Sequence, residues 1–221
     1  MAYRIASSLI VVVLSAWLTG CTCSNDLTTP REVEPTTRSH LRVVHASVDT
    51  PELHCKQNDK DLLSGILYGH TPTEYKQLPS ELRNLRFFTG SGAALLSVNV
   101  ALTADRKHTF VVLDRMDRVR GVLLDDTPPT MNPGSAFVRI VHADDAHRTI
   151  TITSGSEEQT ISFPQVSEWI EVDPNANVDI IVDPSTTITL PSSLLTSGSA
   201  TTAIIRPQDG PGDALVVLPN N

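Results

Sequence analysis

Two histidines occupy the same place in two nearly identical hexapeptides, LRVVHA (Leu41 to Ala46) and VRIVHA (Val138 to Ala143). An imidazole titrates near neutral pH and ligates metals, so such a pair raises acid–base or metal chemistry. Strand geometry favours another use. In an extended chain residues two apart share a face. Leu41, Val43 and His45 therefore lie together, as do Val138, Ile140 and His142, with Arg42 and Arg139 on the opposite side. Each imidazole is expected on the apolar, core-facing side, neutral and hydrogen-bonded to a nearby loop, with Asp49 and Asp144 as candidate partners. One active site does not need the same residue twice, whereas a repeated fold does. His45 and His142 are read as repeated framework residues.

Other chemistry finds less support. DPNANVD, Asp173 to Asp179, alternates oxygen ligands as a calcium loop does. It then places Val178 where that loop needs glycine and Pro184 where it needs a bidentate glutamate. The clusters TGSG and SGS lack the Gly-x-Ser-x-Gly spacing of a nucleophile elbow. No glycine-rich phosphate loop with a lysine is present. The pairs Asp125-Asp126 and Asp144-Asp145 fall at strand ends, where solvated turns are the default. The expectation is no catalytic residue, no metal site and no cofactor.

The elements that carry these residues form a repeat. His45 and His142 are 97 residues apart, near the ~100 residues of one immunoglobulin-like sandwich. LYGHTPTEYKQL aligns with SFPQVSEWIEV, matching Tyr68 to Phe163 and Tyr75 to Trp169. HTFVVLDRMDRVRGVLLDD aligns with TTAIIRPQDGPGDALVVLPN. Tyr75 and Trp169 join the histidines as repeated framework positions. The apolar period is two: Ile150 and Ile152 in RTITIT, and Leu96, Val98, Val100 and Leu102 in ALLSVNVAL. Eight strands are expected in the second copy, beginning near Val138, Arg148, Thr160, Trp169, Val178, Thr187, Thr201 and Ala214. The one helix candidate is PSELRNL, Pro79 to Leu85. The fold class is all-β, two tandem immunoglobulin-like antiparallel β-sandwiches: residues 41–126, a Pro-rich linker 127–136, and residues 137–221. A variant of this reading packs the two copies into one continuous unit.

The N-terminal residues carry an address. Arg4 precedes a 14-residue apolar run, Ile5 to Leu18, short of the ~20 residues that span a membrane. A charged start and short apolar centre describe a secretory signal peptide, residues 1–20. Leu18-Thr19-Gly20-Cys21 resembles the lipobox of bacterial lipoproteins, which implies lipidation at Cys21 and a membrane partner through that anchor. Thr22 follows in place of an inner-membrane retention aspartate, so an outer-membrane location is expected. Residues 21–40 are polar and Pro/Thr-rich, a flexible tether. Cys23 and Cys55 are a candidate disulfide in an oxidising compartment. The net charge of -8 comes without a basic cluster, which excludes a nucleic-acid partner.

The RVVHAS opening, Tyr68-Gly69, Tyr75, Leu78-Pro79 and a last strand ending in Leu-x-x-Asp resemble a family of secreted bacterial repeats, the domain of unknown function number 4397. The resemblance runs from Leu41 to about Asn221. It departs from the pattern at Asp144, which replaces the serine, and at Ser80, which replaces a glycine. It implies a β-sandwich at the cell surface and no reaction. The function expected is a non-catalytic binding or structural module, taking an unidentified protein or glycan through its loops. The alternative is an envelope hydrolase with its site at the junction of the two domains.

Overall fold

A computed structural model describes residues 37–50, 52–70, 72–207 and 214–220. The first repeat supplies β1 (Arg38–Ala46), β2 (Glu52–Gln57), β3 (Lys60–Leu67), β4 (Lys76–Pro79), β5 (Glu81–Thr89), β6 (Ala94–Leu102), β7 (Lys107–Leu113) and β8 (Arg120–Asp125). The second supplies β9 (Ala136–His142), β10 (Thr149–Ser154), β11 (Glu157–Ser162), β12 (Ile170–Val172), β13 (Val178–Asp183), β14 (Thr186–Leu190), β15 (Ala200–Ile205) and β16 (Leu215–Pro219). The chain is all-β, two tandem immunoglobulin-like sandwiches with the same topology. An inner sheet runs β4-β1-β7-β8 in the first and β12-β9-β15-β16 in the second; the outer sheets run β3-β2-β5-β6 and β11-β10-β13-β14. Pairing is antiparallel except for β1 with β7 and β9 with β15, which are parallel.

The two kinds of sheet follow from two kinds of sequence. Outer strands alternate: β13 reads buried, exposed, buried, exposed along VDIIVD, one face on the core and one in water. Inner strands do not alternate. AFVRIVH of β9 and ATTAII of β15 are buried at every position. Strands covered on both faces read as near-continuous apolar runs, and here the second cover is the other repeat. Leu41, Val43 and Phe110 point into the core of the first sandwich, and Val138, Ile140 and Ala203 into that of the second. Their neighbours Val44, Ala46, Val111 and Leu113 meet Val141, Ala143, Ile204 and Leu218 in a third apolar cluster between the inner sheets. All the described residues belong to one compact unit.

Local departures have local causes. Residues 79–85, the helix candidate, instead close β4 and open β5. Leu85 and Phe87 pair with β2 and β6 and are fully buried, so tertiary pairing overrides the helical propensity of Glu, Leu and Arg. Arg38, Ser39 and His40, read as the end of the tether, begin β1. They are drawn in because the buried Ser39 hydroxyl donates to the Arg106 carbonyl and contacts His108 Nδ1 at 3.0 Å. Gly121 in β8 leaves room for the Phe110 ring, which a Cβ there would strike; that ring stacks on Phe87 at 5.1 Å.

Candidate functional site at the junction of the repeats

The face opposite the histidines holds a buried polar network. Arg42 and Thr109 are register partners on β1 and β7, and Arg139 and Thr202 are their equivalents on β9 and β15. The repeat aligns Asp126 with Asn220, each one residue past its last strand. Arg139 Nη2 lies 3.0 Å from Asp126 Oδ1, and Arg42 Nη2 lies 3.7 Å from Oδ2. Arg42 also donates to Asn220 Oδ1 at 2.7 Å, and Asn220 Nδ2 donates to Thr202 at 2.6 Å. The hydroxyls of Tyr75 and Thr109 donate to Asp126 at 2.8 and 2.6 Å. Tyr75 and Trp169 stand over these guanidinium groups, Arg42 at 4.7 Å and Arg139 at 4.4 Å from the ring centroids. Burial lowers the Arg139 pKa while the Asp126 charge opposes the shift. Burial, then the Asp126 charge, raises that of Tyr75.

His45 and His142 lie on the core side of their strands, 2% and 0% exposed. Ser47 N–H donates to His45 Nδ1 at 3.2 Å, which leaves Nε2–H to donate to the Thr50 carbonyl at 2.6 Å. The Tyr68 ring meets His45 edge-on at 5.7 Å, and Phe163 meets His142 in the same way at 5.8 Å. The expected aspartate partners serve elsewhere, Asp49 exposed at the surface and Asp144 buried but turned to another histidine. Asp49 accepts from Met116 N at 2.6 Å, and Asp144 pairs with His147 at 2.6 Å. Among the described residues neither ring nitrogen of His142 closes a hydrogen bond of good geometry, though the His147 backbone beside the ring opposes the fall in its pKa. Desolvation lowers the His45 pKa to about 4, against the Thr50 bond. It lowers that of His142 too, against the Asp144 charge. His45→Ala is expected to cost about 2–4 kcal/mol in chemical denaturation, against less than about 0.5 kcal/mol for the exposed His70→Ala. Equal small losses would remove the framework role.

Cys55 is buried in the first core, and desolvation pushes its thiol up to about 12. Cys21 and Cys23 lie outside the described residues. In DPNANVD the Asp173 carboxylate accepts from Asn175 N at 2.8 Å, an ordinary turn.

Composition missed a cleft at one end of the junction. Its volume is about 510 Å³, and its walls are the β7–β8 turn, the β9–β10 turn and the end of β11. Asp114, at φ 73°, accepts from Arg118 Nε at 2.6 Å and faces Arg120 Nε at 3.0 Å. Asp145 crosses the junction to Arg115 at 2.7 Å and Arg118 at 2.9 Å. His147 stands between two carboxylates, Nδ1 2.6 Å from Asp144 and Nε2 3.5 Å from Asp183. Arg148, exposed at the rim, makes no ion pair among the described residues. Thr149, Ser162 and Phe163 complete the lining. The charge-rich turn DRMDRVR was the visible signal.

The family described as Domain of unknown function (DUF4397) matches residues 39–153, from β1 through most of β10. No curated protein matches the chain. Among solved structures, the carbohydrate-binding module CBMbc (family CBM26) of Amy13K from Eubacterium rectale, in complex with maltoheptaose, is 13% identical. It covers 82% of this chain and 96% of its own, at a TM-score of 0.24. A likeness that low bears on neither fold nor ligand.

Proposed function

The chain belongs to the DUF4397 family, and from its two-repeat body we propose a non-catalytic binding module, lipid-anchored in the cell envelope through Cys21, that takes an anionic ligand in the junction cleft. The observation that carries this reading is the cleft itself: loops of both repeats present the exposed Arg148 guanidinium, with Arg118 and Arg120 held by Asp114 and Asp145, beside Phe163 and the hydroxyls of Thr149 and Ser162. Guanidinium forks suit carboxylate or phosphate groups, and an aromatic wall suits a sugar or apolar body. An acidic glycan or acidic peptide segment meets both demands.

Non-catalytic use is supported by how the reactive groups are engaged. A general base for Ser162 needs a free imidazole lone pair, and both ring nitrogens of His147 face carboxylates. The anchor reading rests on Leu18-Thr19-Gly20-Cys21.

Two experiments test the parts separately. The detergent-solubilised full chain is expected to be retained on an immobilised acidic polysaccharide and not on a neutral one, with Arg148→Glu losing about tenfold or more in affinity, a charge-assisted contact of about 1.4 kcal/mol or more. Retention unchanged in Arg148→Glu would contradict the cleft, and cleavage of the polysaccharide would contradict the binding-only reading. Cys21→Ala is expected to move the protein from the membrane to the soluble fraction or leave it unprocessed; continued membrane retention of a processed Cys21→Ala chain would contradict the anchor.

A further inference from the structure

We infer that β6 is the edge through which two copies of this chain pair, β6 adding antiparallel to β6 across a two-fold axis. β6 closes the outer sheet of the first sandwich and bonds to β5 alone. No backbone group of Ala94–Leu102 bonds to any other described element. An open edge is ordinarily blunted by charge, proline or brevity. Among the described edge strands, β4 and β16 hold prolines. β3, β8, β11 and β12 hold charges, and β14 has five residues. β6 has nine, ALLSVNVAL, with no charge, proline or glycine. Its one irregularity, the register shift opposite Phe87 and Phe88, falls at the start and leaves Leu96–Leu102 regular.

The strand's own pattern selects a second copy as the occupant. With the axis at Val98, Ser97 stands opposite Asn99 and Leu96 opposite Val100. Polar meets polar and apolar meets apolar, and because the strand carries no charge no like charges face each other across the axis, as an isologous contact needs. On the outer face Asn84 Nδ2 donates to Ser97 Oγ at 3.3 Å and Asn99 Oδ1 at 3.0 Å, so the polar side chains are already ordered beside the open edge. On the inner face Leu96 and Val98 pack on the first core yet remain half-buried, while Val100 and Leu102 are fully buried. A partner strand covers the two that are left open and turns two four-stranded sheets into one of eight.

The test is sedimentation equilibrium of the full chain in density-matched detergent. The protein and Thr187→Lys, on the edge of β14, are expected at the mass of two chains. Asn99→Lys, on the exposed face of β6, is expected at the mass of one, with its melting curve retained. Independently, Val98→Cys in intact cells under oxidation is expected to link two copies at the axis, and Ser156→Cys, in an exposed turn of the other sandwich, is not. A single-chain mass at every concentration overturns the inference. So does a pair that Asn99→Lys leaves intact, or a Val98→Cys link to a chain of a different mass.

Discussion

Replacing Asp126 with alanine is expected to destabilise the chain by about 3–5 kcal/mol, read as a fall in the denaturant midpoint at unchanged slope. The carboxylate side chain is 1% exposed, and it stands between Arg42 and Arg139, whose side chains are 6% and 7% exposed. Its removal leaves two guanidinium groups in the junction without a counter-charge and strips an acceptor from the Tyr75 and Thr109 hydroxyls. Most of the cost comes from those uncompensated buried charges, not from the lost attraction. Asp126→Asn separates the two effects. It reproduces the amide at the matching place in the second repeat, Asn220, and keeps an acceptor for the hydroxyls while removing the charge. Its loss is expected to fall between zero and that of alanine. A loss under about 1 kcal/mol for alanine would mean the arginines do not depend on this carboxylate.

The second large effect is acid sensitivity. His45, His142 and His108 are all buried, and desolvation lowers the pKa of each. A histidine with a depressed folded pKa is neutral in the fold and binds its proton more readily when unfolded. Its stabilisation is therefore complete above the unfolded value and is lost as pH falls from there through the folded value. For His45 the window runs from 6.5 to about 4, about 3 kcal/mol in all at about 1.4 kcal/mol per unit. The geometry agrees, since protonation would set Nδ1–H against the Ser47 N–H that it accepts. His142 and His108 add to the loss in the same direction. Asp183, held at about 2 by its hydrogen bonds to Ser185, contributes only below that window. The unfolding free energy is expected to drop steadily between pH 7 and 4.5, and His45→Gln to flatten the slope. A profile flat to pH 4.5 would show that the imidazoles titrate freely in the fold.

Much of the architecture was legible because a period of two is hard to mistake. All eight strands expected in the second repeat form, and Tyr68 with Phe163 and Tyr75 with Trp169 take matching places. The same alternation put Arg42 and Arg139 opposite the histidines. It did not reveal that this face is also covered, because an arginine reads as a surface residue until its counter-charge is known. That counter-charge is the difference between Asp126 and Asn220 at one aligned position. The histidine partners were misread for a similar reason: a backbone carbonyl, here that of Thr50, has no sequence signature. The cleft was hidden because its two walls, Asp114 to Arg120 and Asp145 to Thr149, meet only once the inner sheets have packed.

Differential scanning calorimetry of the full chain at neutral pH tests most directly whether the two sandwiches are one body sealed through their inner sheets. The expected result is a single transition whose calorimetric and van't Hoff enthalpies agree, shifted as a whole to lower temperature in Asp126→Ala. Two resolved transitions, with only one of them moved by Asp126→Ala, would contradict it.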